Sequence, residues 1–416
     1  MIPFSYSISY LWDTMKLIEP LVAWQDEIAG IRRDLHAHPE LGYEEIRTSN
    51  LVATQLEKWG VEVHRGLGKT GVVGVIQGRG DSTRAVGLRA DMDALPMQEV
   101  NTFAHASKTP GKMHGCGHDG HTAMLLAASR YLAETRDFDG RVIVIFQPAE
   151  EGGAGALAMV EDGLFDQFPV EAVFGMHNWP GLPLGTFGLN PGALMASSSD
   201  FQITIRGKGA HGGMPHLGID PVMTAVQMAQ AFQTIISRNR NPLDPGVLSV
   251  TQIHTGSADN VVPESAELRG TVRTLSNETL DLIEARMREL AEHTAAGMQC
   301  TVDFNLHRNY PATINHPAEA AFCADVLRDI VGEERVKAQI DPSMGAEDFA
   351  FMLQARPGCY VWVGAGDGSH RDEGHGMGPC MLHNGSYDFN DALLPIGATF
   401  WVEVARKWLA QPRVNA

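Results

Sequence analysis

A chain of 416 residues exceeds what one hydrophobic core usually organises, so at least two domains are expected. Lys and Arg total 32 against 50 Asp and Glu, a formal charge of −18 that would repel phosphate backbones and anionic lipid; no basic block offsets it, which excludes nucleic acid and membrane surfaces as partner classes. The five cysteines (Cys116, Cys300, Cys323, Cys359, Cys380) are few and scattered, arguing against a disulfide framework, and no apolar run is long enough to cross a bilayer, so a cytoplasmic location is expected.

Residues 1–14 lack a basic n-region and a small-residue cleavage site, so they read as a non-native or poorly ordered extension rather than a secretory signal. An amphipathic helix is expected over 16–38 and another over Thr48–Trp59, stopping at Gly60. Short β-rich runs follow at 71–77 and 85–89. RVIVIFQ at 141–147 is the clearest strand of the first half, and its unbroken apolar character suits a strand covered on both faces of an α/β sheet. AVFGMH (172–177) and CYVWVG (359–364) are similar, and a last helix is expected from Asp391 to Leu409.

The middle changes style. Strand 201–207, helix 221–238, strands 248–254 and 266–273, helix 279–296 and strand 300–306 follow the order β-α-β-β-α-β, that of a ferredoxin-like sandwich. The connections GLPLGTFGLNPGALMASS and HRNYPATINHPAE beside it read as strand-free. The expected architecture is an α/β, mixed-sheet catalytic domain from 16–187 and 307–416, with an α+β ferredoxin-like domain inserted over 188–306.

Polar chemistry concentrates in HGCGHDGH (114–121), where Cys116 and His118 can face one cation across a glycine-permitted turn ahead of a helix from Thr122 to Glu134. Glu150 and Glu151 lie just beyond the 141–147 strand, where open α/β sheets place their sites. Two adjacent carboxylates are not expected to point the same way, so one is free to bind metal while the other accepts a proton. His177 is expected at the end of its strand and His383 before the final helix. Together Cys116, His118, Glu151, His177 and His383 supply a thiolate, three imidazoles and a carboxylate, a set suited to zinc, cobalt, nickel or manganese rather than magnesium or calcium.

RADMDALP (89–96), HGCGHDGHTAML (114–125), QPAEEGGAGA (147–156), GMHNWPGLPLG (175–185), GKGAHGGMPHLGIDP (207–221), NVVPESAELRGTVRT (260–274), MGAEDFAFM (344–352) and LHNGSYDFNDALLPIGA (382–398) resemble, in order, the motifs of the M20 metallopeptidase family. The similarity is to its amidohydrolase branch, the hippurate hydrolases, aminoacylases and auxin-conjugate hydrolases, and it covers the chain from about residue 16. The resemblance implies a zinc-peptidase-like catalytic domain, a lid domain that also forms a homodimer, and two divalent metal ions (Mn, Zn, Co or Ni) on the five residues just named. It implies Glu150 as general base, His211 as oxyanion stabiliser, and Asn260 and Arg273 as holders of the substrate carboxylate. Other branches have a metal-binding His where this chain has Arg89. Cys116 is the branch-specific ligand instead, which leaves Asp91 a supporting place in the catalytic set. Gly212-Gly213 stands where many relatives have Ala-Ala.

The expected reaction is hydrolysis of an N-acyl amino acid, hippurate (N-benzoylglycine) above all, by a metal-bridging water that Glu150 deprotonates. The alternatives are an aminoacylase or deacetylase acting on another N-acyl amino acid or short dipeptide, a thiol hydrolase built on Cys116, and a non-catalytic metal-dependent binding protein.

Overall fold

The computed structural model describes residues 11–371 and 373–412, so most of the extension read at residues 1–14 lies outside the described residues. The chain divides into two compact units. One comprises Met1–Gly192, Asn315–Asp341 and Phe351–Ala416; the other comprises Ala193–Ile314 and Pro342–Ala350. The divisions fall a few residues later than 187/188 and 306/307. The intervening stretches are not strand-free: Phe187–Gly188 joins the large sheet, Ala193–Met195 pairs with Thr313–Ile314, and the Thr301–Tyr310 strand runs through HRNY.

The larger unit is built on an eight-stranded mixed sheet. Its spatial order is Glu62–Arg65, Val72–Gln77, Arg141–Gln147, Ala85–Asp91, Ala172–Pro180, Gly358–Gly366, Phe187–Gly188 and Val336–Lys337. The four central strands run parallel. Parallel neighbours need a crossover, and the His118–Thr135 helix supplies it between Ala85–Asp91 and Arg141–Gln147. Both strands are buried almost throughout, as their unbroken apolar runs require. Helices Gln25–Ala37, His118–Thr135 and Leu394–Ala410 pack on one another, and the last two also pack on the sheet. The expected first helix is two, Glu19–Ala23 and Gln25–Ala37, interrupted at Trp24. Among the described residues, no helix is long and apolar enough to cross a membrane. All five cysteines are free and buried.

The smaller unit is a four-stranded antiparallel sheet in the order Gly246–Thr255, Ser265–Thr274, Ser198–Arg206, Thr301–Tyr310. Helices Pro221–Thr234 and Asn277–Gly297 complete the β-α-β-β-α-β order. Asp220 and Ser276 cap them, each accepting backbone N–H groups of the first turn. Ser198–Arg206 alternates between buried and less buried residues, so one sheet face packs on the helices through Phe201, Ile203 and Ile205.

Candidate metal centre and active site

The central parallel strands deliver polar residues to one place because their connections leave from the same end of the sheet. The Ala85–Asp91 strand ends on Asp91, and the chain then carries Asp93. The HGCGHDGH segment turns at Gly117, which is left-handed at φ 94°, and enters its helix at His118, four residues earlier than expected. That earlier start places His118 and His121 one turn apart on the same helix.

Three trios of metal-ligating atoms, each within 4.8 Å of one another, gather here: Cys116, His118 and His177; Cys116, Glu151 and His383; His118, Glu150 and Glu151. All five expected ligands and the expected base are thus brought together, with Cys116 common to two trios. The thiol sulfur stands 3.4 Å from His177 Nε2. His177 Nδ1 donates to the Asn178 carbonyl at 2.7 Å, which leaves Nε2 as the free lone pair. His383 Nε2 is 3.1 Å from Glu151 Oε1, and its backbone N–H donates to the Gly115 carbonyl, tying its loop to the cysteine turn.

Two expectations need correction. Glu150 and Glu151 do not diverge, since each places an oxygen beside the same imidazole. The chain leaves its strand at Gln147 and Ala149 adopts a left-handed φ of 51°, so the alternation of a strand no longer applies. Buried Glu45 holds that turn by accepting the Ala149 N–H at 2.8 Å. His177 is not at the end of its strand either. The strand continues to Pro180, because its parallel pairing with Gly358–Gly366 persists past the Trp362–His177 partnership.

Asp91 is fully buried and both its oxygens are engaged, Oδ1 by His121 at 2.6 Å and Oδ2 by Arg89 at 2.9 Å, with His118 Nε2 at 3.8 Å. Two residues that the sequence reading passed over do the nearest supporting work. Asp93 takes His118 Nδ1 at 3.2 Å and the Glu151 backbone N–H at 2.9 Å. His121 lies between Asp91 and Asn178. The only signal for either was its presence in RADMDALP and HGCGHDGH.

The electrostatics follow from this crowding. Burial works against a charged His118, but Asp91 and Asp93 prevail and lift it to about 10. Burial, with Glu151 and Glu150 beside it, pushes the Cys116 thiol well up, whereas burial holds His177 well down. Excess negative charge around a thiol is the environment that a cation relieves. His118 Nε2 is buried without a hydrogen-bond partner, so the donor set fits divalent metal.

The remaining candidates belong to the smaller unit. His211 is exposed on a two-residue strand paired with Val261–Val262, and the Gly212 N–H donates to the Asn260 carbonyl at 2.6 Å. A Cβ on Gly212 would stand 3.0 Å from the Asn260 backbone, so glycine permits this close crossing. Arg273 is not brought to them. It lies eight residues along the strand from Ser265, roughly 26 Å at the usual rise, where it donates to Thr271 Oγ1 and the Val272 carbonyl.

The family model described as peptidase family M20/M25/M40 matches residues 87–407. A hippurate hydrolase of Campylobacter jejuni subsp. jejuni is 39% identical over 95% of this chain and 100% of its own length. An Arabidopsis thaliana IAA-amino acid hydrolase ILR1-like protein is 41% identical over 92% of this chain and 87% of its own. Among solved structures, a Bacillus subtilis dinuclear metal binding peptidase from the M20 family superposes with a TM-score of 0.79 at 35% identity, covering 93% of this chain and 99% of that one.

Proposed function

Because the chain belongs to peptidase family M20/M25/M40, we propose that it is a metal-dependent amidohydrolase that cleaves N-acyl amino acids, with hippurate the preferred substrate. The observation that carries this reading is the convergence of Glu150 and Glu151 on His118, beside Cys116, His177 and His383. Cys116, His118, Glu151, His177 and His383 would hold two divalent cations, as in the dinuclear relative. Bound there, the cations would acidify a water and polarise the amide carbonyl.

The chain's own residues supply the rest. Glu150 takes the proton of the attacking water and passes it to the departing amine, acting first as base and then as acid. Asp93 keeps His118 in one tautomer and fixes the Glu151 backbone, so the carboxylate pair is set before substrate arrives. His211 stabilises the oxyanion, and Asn260 and Arg273 hold the substrate carboxylate. The small unit acts as lid and dimerisation domain; the open edge of its sheet supports that role. Asn260 precedes a strand of a separate two-stranded sheet while Arg273 lies far along the Ser265–Thr274 strand, which favours their serving one carboxylate from different chains of such a dimer. Five unpaired cysteines support a reducing, cytoplasmic setting.

The test is a panel of N-benzoyl, N-acetyl and N-indolylacyl amino acids assayed with Mn, Zn, Co and Ni. Fastest turnover of N-benzoylglycine supports the hippurate assignment, and a clear preference for another acyl group replaces it. Activity that survives exhaustive chelation refutes the metal mechanism in favour of a Cys116 thiol.

A further inference from the structure

Beneath the cysteine turn runs a chain of buried polar groups that the reaction does not use directly. Asp91 Oδ1 is 2.6 Å from His121 Nδ1. His121 Nε2 receives the Asn178 backbone N–H at 3.0 Å and stands 2.7 Å from the Asn178 side-chain amide. The other end of that amide is 2.7 Å from Tyr387 Oη. None of the four residues is more than 1% exposed.

The protonation pattern follows from groups of fixed identity. A carboxylate only accepts, so Nδ1 of His121 carries the proton that goes to Asp91. A backbone N–H only donates, so Nε2 is the bare nitrogen. The amide atom facing Nε2 is then the NH2 end, with Asn178 rotated by half a turn, and the amide oxygen accepts from the Tyr387 hydroxyl. Both nitrogens of His121 are thereby engaged by protein. His121 forms a fourth trio of possible ligands with Asp91 and His118, but Arg89 already occupies the second oxygen of Asp91. A cation there would face a buried guanidinium.

What this network touches gives it a purpose. Asn178 follows His177 in sequence, and the His121 ring packs edge-on to His177 with centroids 4.6 Å apart. A Cβ on Gly117 would fall 2.2 Å from the Asn178 amide and 2.6 Å from Tyr387 Oη, so the turn between Cys116 and His118 rests directly on this pair. Tyr387 lies four residues beyond His383. The network therefore joins the three segments that bring Cys116 and His118, His177, and His383 from distant parts of the chain.

We propose that His121, with Asn178 and Tyr387, is a positioning residue that sets the spacing of the metal ligands and does not itself bind metal. This rests on the reading of the cluster as a metal centre. Groups behind a ligand typically contribute 10–100-fold in metal affinity.

The experiment titrates metal-free full-length protein with Co(II) and follows the thiolate charge-transfer and d–d bands as well as stoichiometry. Tyr387→Phe keeps the ring packing and removes one hydroxyl. His121→Gln keeps an acceptor near Asn178 and loses the Asp91 bond; His121→Asn does the reverse. The expected result is two Co(II) per chain in every variant, with affinity about tenfold weaker, altered d–d bands, and a fall in kcat at saturating metal with KM little changed. Wild-type affinity and spectra in Tyr387→Phe and both His121 variants overturn the proposal. A drop to one Co(II) in both His121 variants with Tyr387→Phe unaffected overturns it in favour of His121 as a ligand. If wild-type protein binds no Co(II), the metal-centre reading itself fails, a separate outcome.

Discussion

Cys116 Sγ and His177 Nε2 stand 3.4 Å apart although 61 residues separate them in the chain. Burial among carboxylates keeps the thiol protonated, so its S–H can donate to the bare Nε2, and the pair sits where one cation would take both atoms as ligands. Cys116→Ala is therefore expected to lose metal and activity together while keeping the fold, and Cys116→Ser to retain a fraction of both. Metal analysis by mass spectrometry alongside circular dichroism checks this. Full metal content in Cys116→Ala would remove the thiolate from the ligand set.

A second set of buried charges stabilises the larger unit. Arg32 is 1% exposed and meets Asp391 at 2.7 Å, Asp388 at 2.8 Å and Asp119 at 3.6 Å. Replacing it by Met would leave Asp391 with Arg33 and Asp119 with His36, but would take from all three carboxylates the buried guanidinium they share. Breaking one side of such a buried group costs about 3–5 kcal/mol. Chemical denaturation of Arg32→Met should show a loss of that size; a loss below about 1 kcal/mol would mean that the aspartates find other partners.

His36 joins that network and gives it a pH dependence. It lies between Asp119 at 2.9 Å and Glu99 at 3.2 Å, with Asp388, Arg32, His105 and His114 around it. Burial favours the neutral ring, but Asp119 and Glu99 outweigh it and raise the imidazole from 6.5 to about 10. A pKa raised on folding means that the folded state binds the proton more tightly. The stabilisation is complete below about 6.5 and is lost progressively as pH rises through about 10. The melting temperature of wild type should fall over that window, and His36→Gln should flatten the slope. Parallel profiles for the two proteins would contradict the assignment.

How much of this was legible in the sequence depends on how local the information is. RVIVIFQ announces a doubly covered strand because its own residues carry the pattern, and the strand appears at Arg141–Gln147. Cys116, His118, Glu151, His177 and His383 stand out as a set, a thiolate, three imidazoles and a carboxylate carried in motifs that resemble those of one family. The convergence of Glu150 with Glu151 was hidden, because it depends on a left-handed alanine at 149 that alanine does not advertise. The parts played by Asp93 and His121 were hidden too: their partners Glu151 and Asn178 lie 58 and 57 residues away, and only the fold pairs them.

Arg273 offers a prediction that isolates substrate binding from chemistry. Its guanidinium hydrogen-bonds a hydroxyl and a carbonyl, with the Asp200 carboxylate near enough to act on its charge but not hydrogen-bonded to it, so a substrate carboxylate would be a better hydrogen-bond partner. Arg273→Lys should raise KM for N-acyl amino acids with a free carboxylate much more than for their amides, with kcat little changed. Equal effects on acids and amides would show that Arg273 only supports the sheet.

The two glutamates after the Arg141–Gln147 strand share one intrinsic acidity, so their surroundings alone must divide their work. Glu151 is placed with both Cys116 and His383 and also with His118, whereas Glu150 joins only the His118 trio among the groups that contain an expected ligand. A residue common to more of the ligand set is the better candidate for holding metal, and its neighbour is left to move protons. Glu151→Gln should therefore weaken metal binding and lose activity that excess metal partly restores. Glu150→Gln keeps the side chain's shape and removes its basic site, so metal content and KM should stay near wild type. Its kcat should fall by about 10²–10⁴-fold, the usual loss on removing general acid–base catalysis. Loss in kcat with KM unchanged is the mark of an interaction made in the transition state. Metal stoichiometry and steady-state kinetics on the two variants together decide the matter. A metal-replete Glu150→Gln protein with near wild-type kcat would require another base, and restoration of Glu150→Gln by excess metal would exchange the two roles.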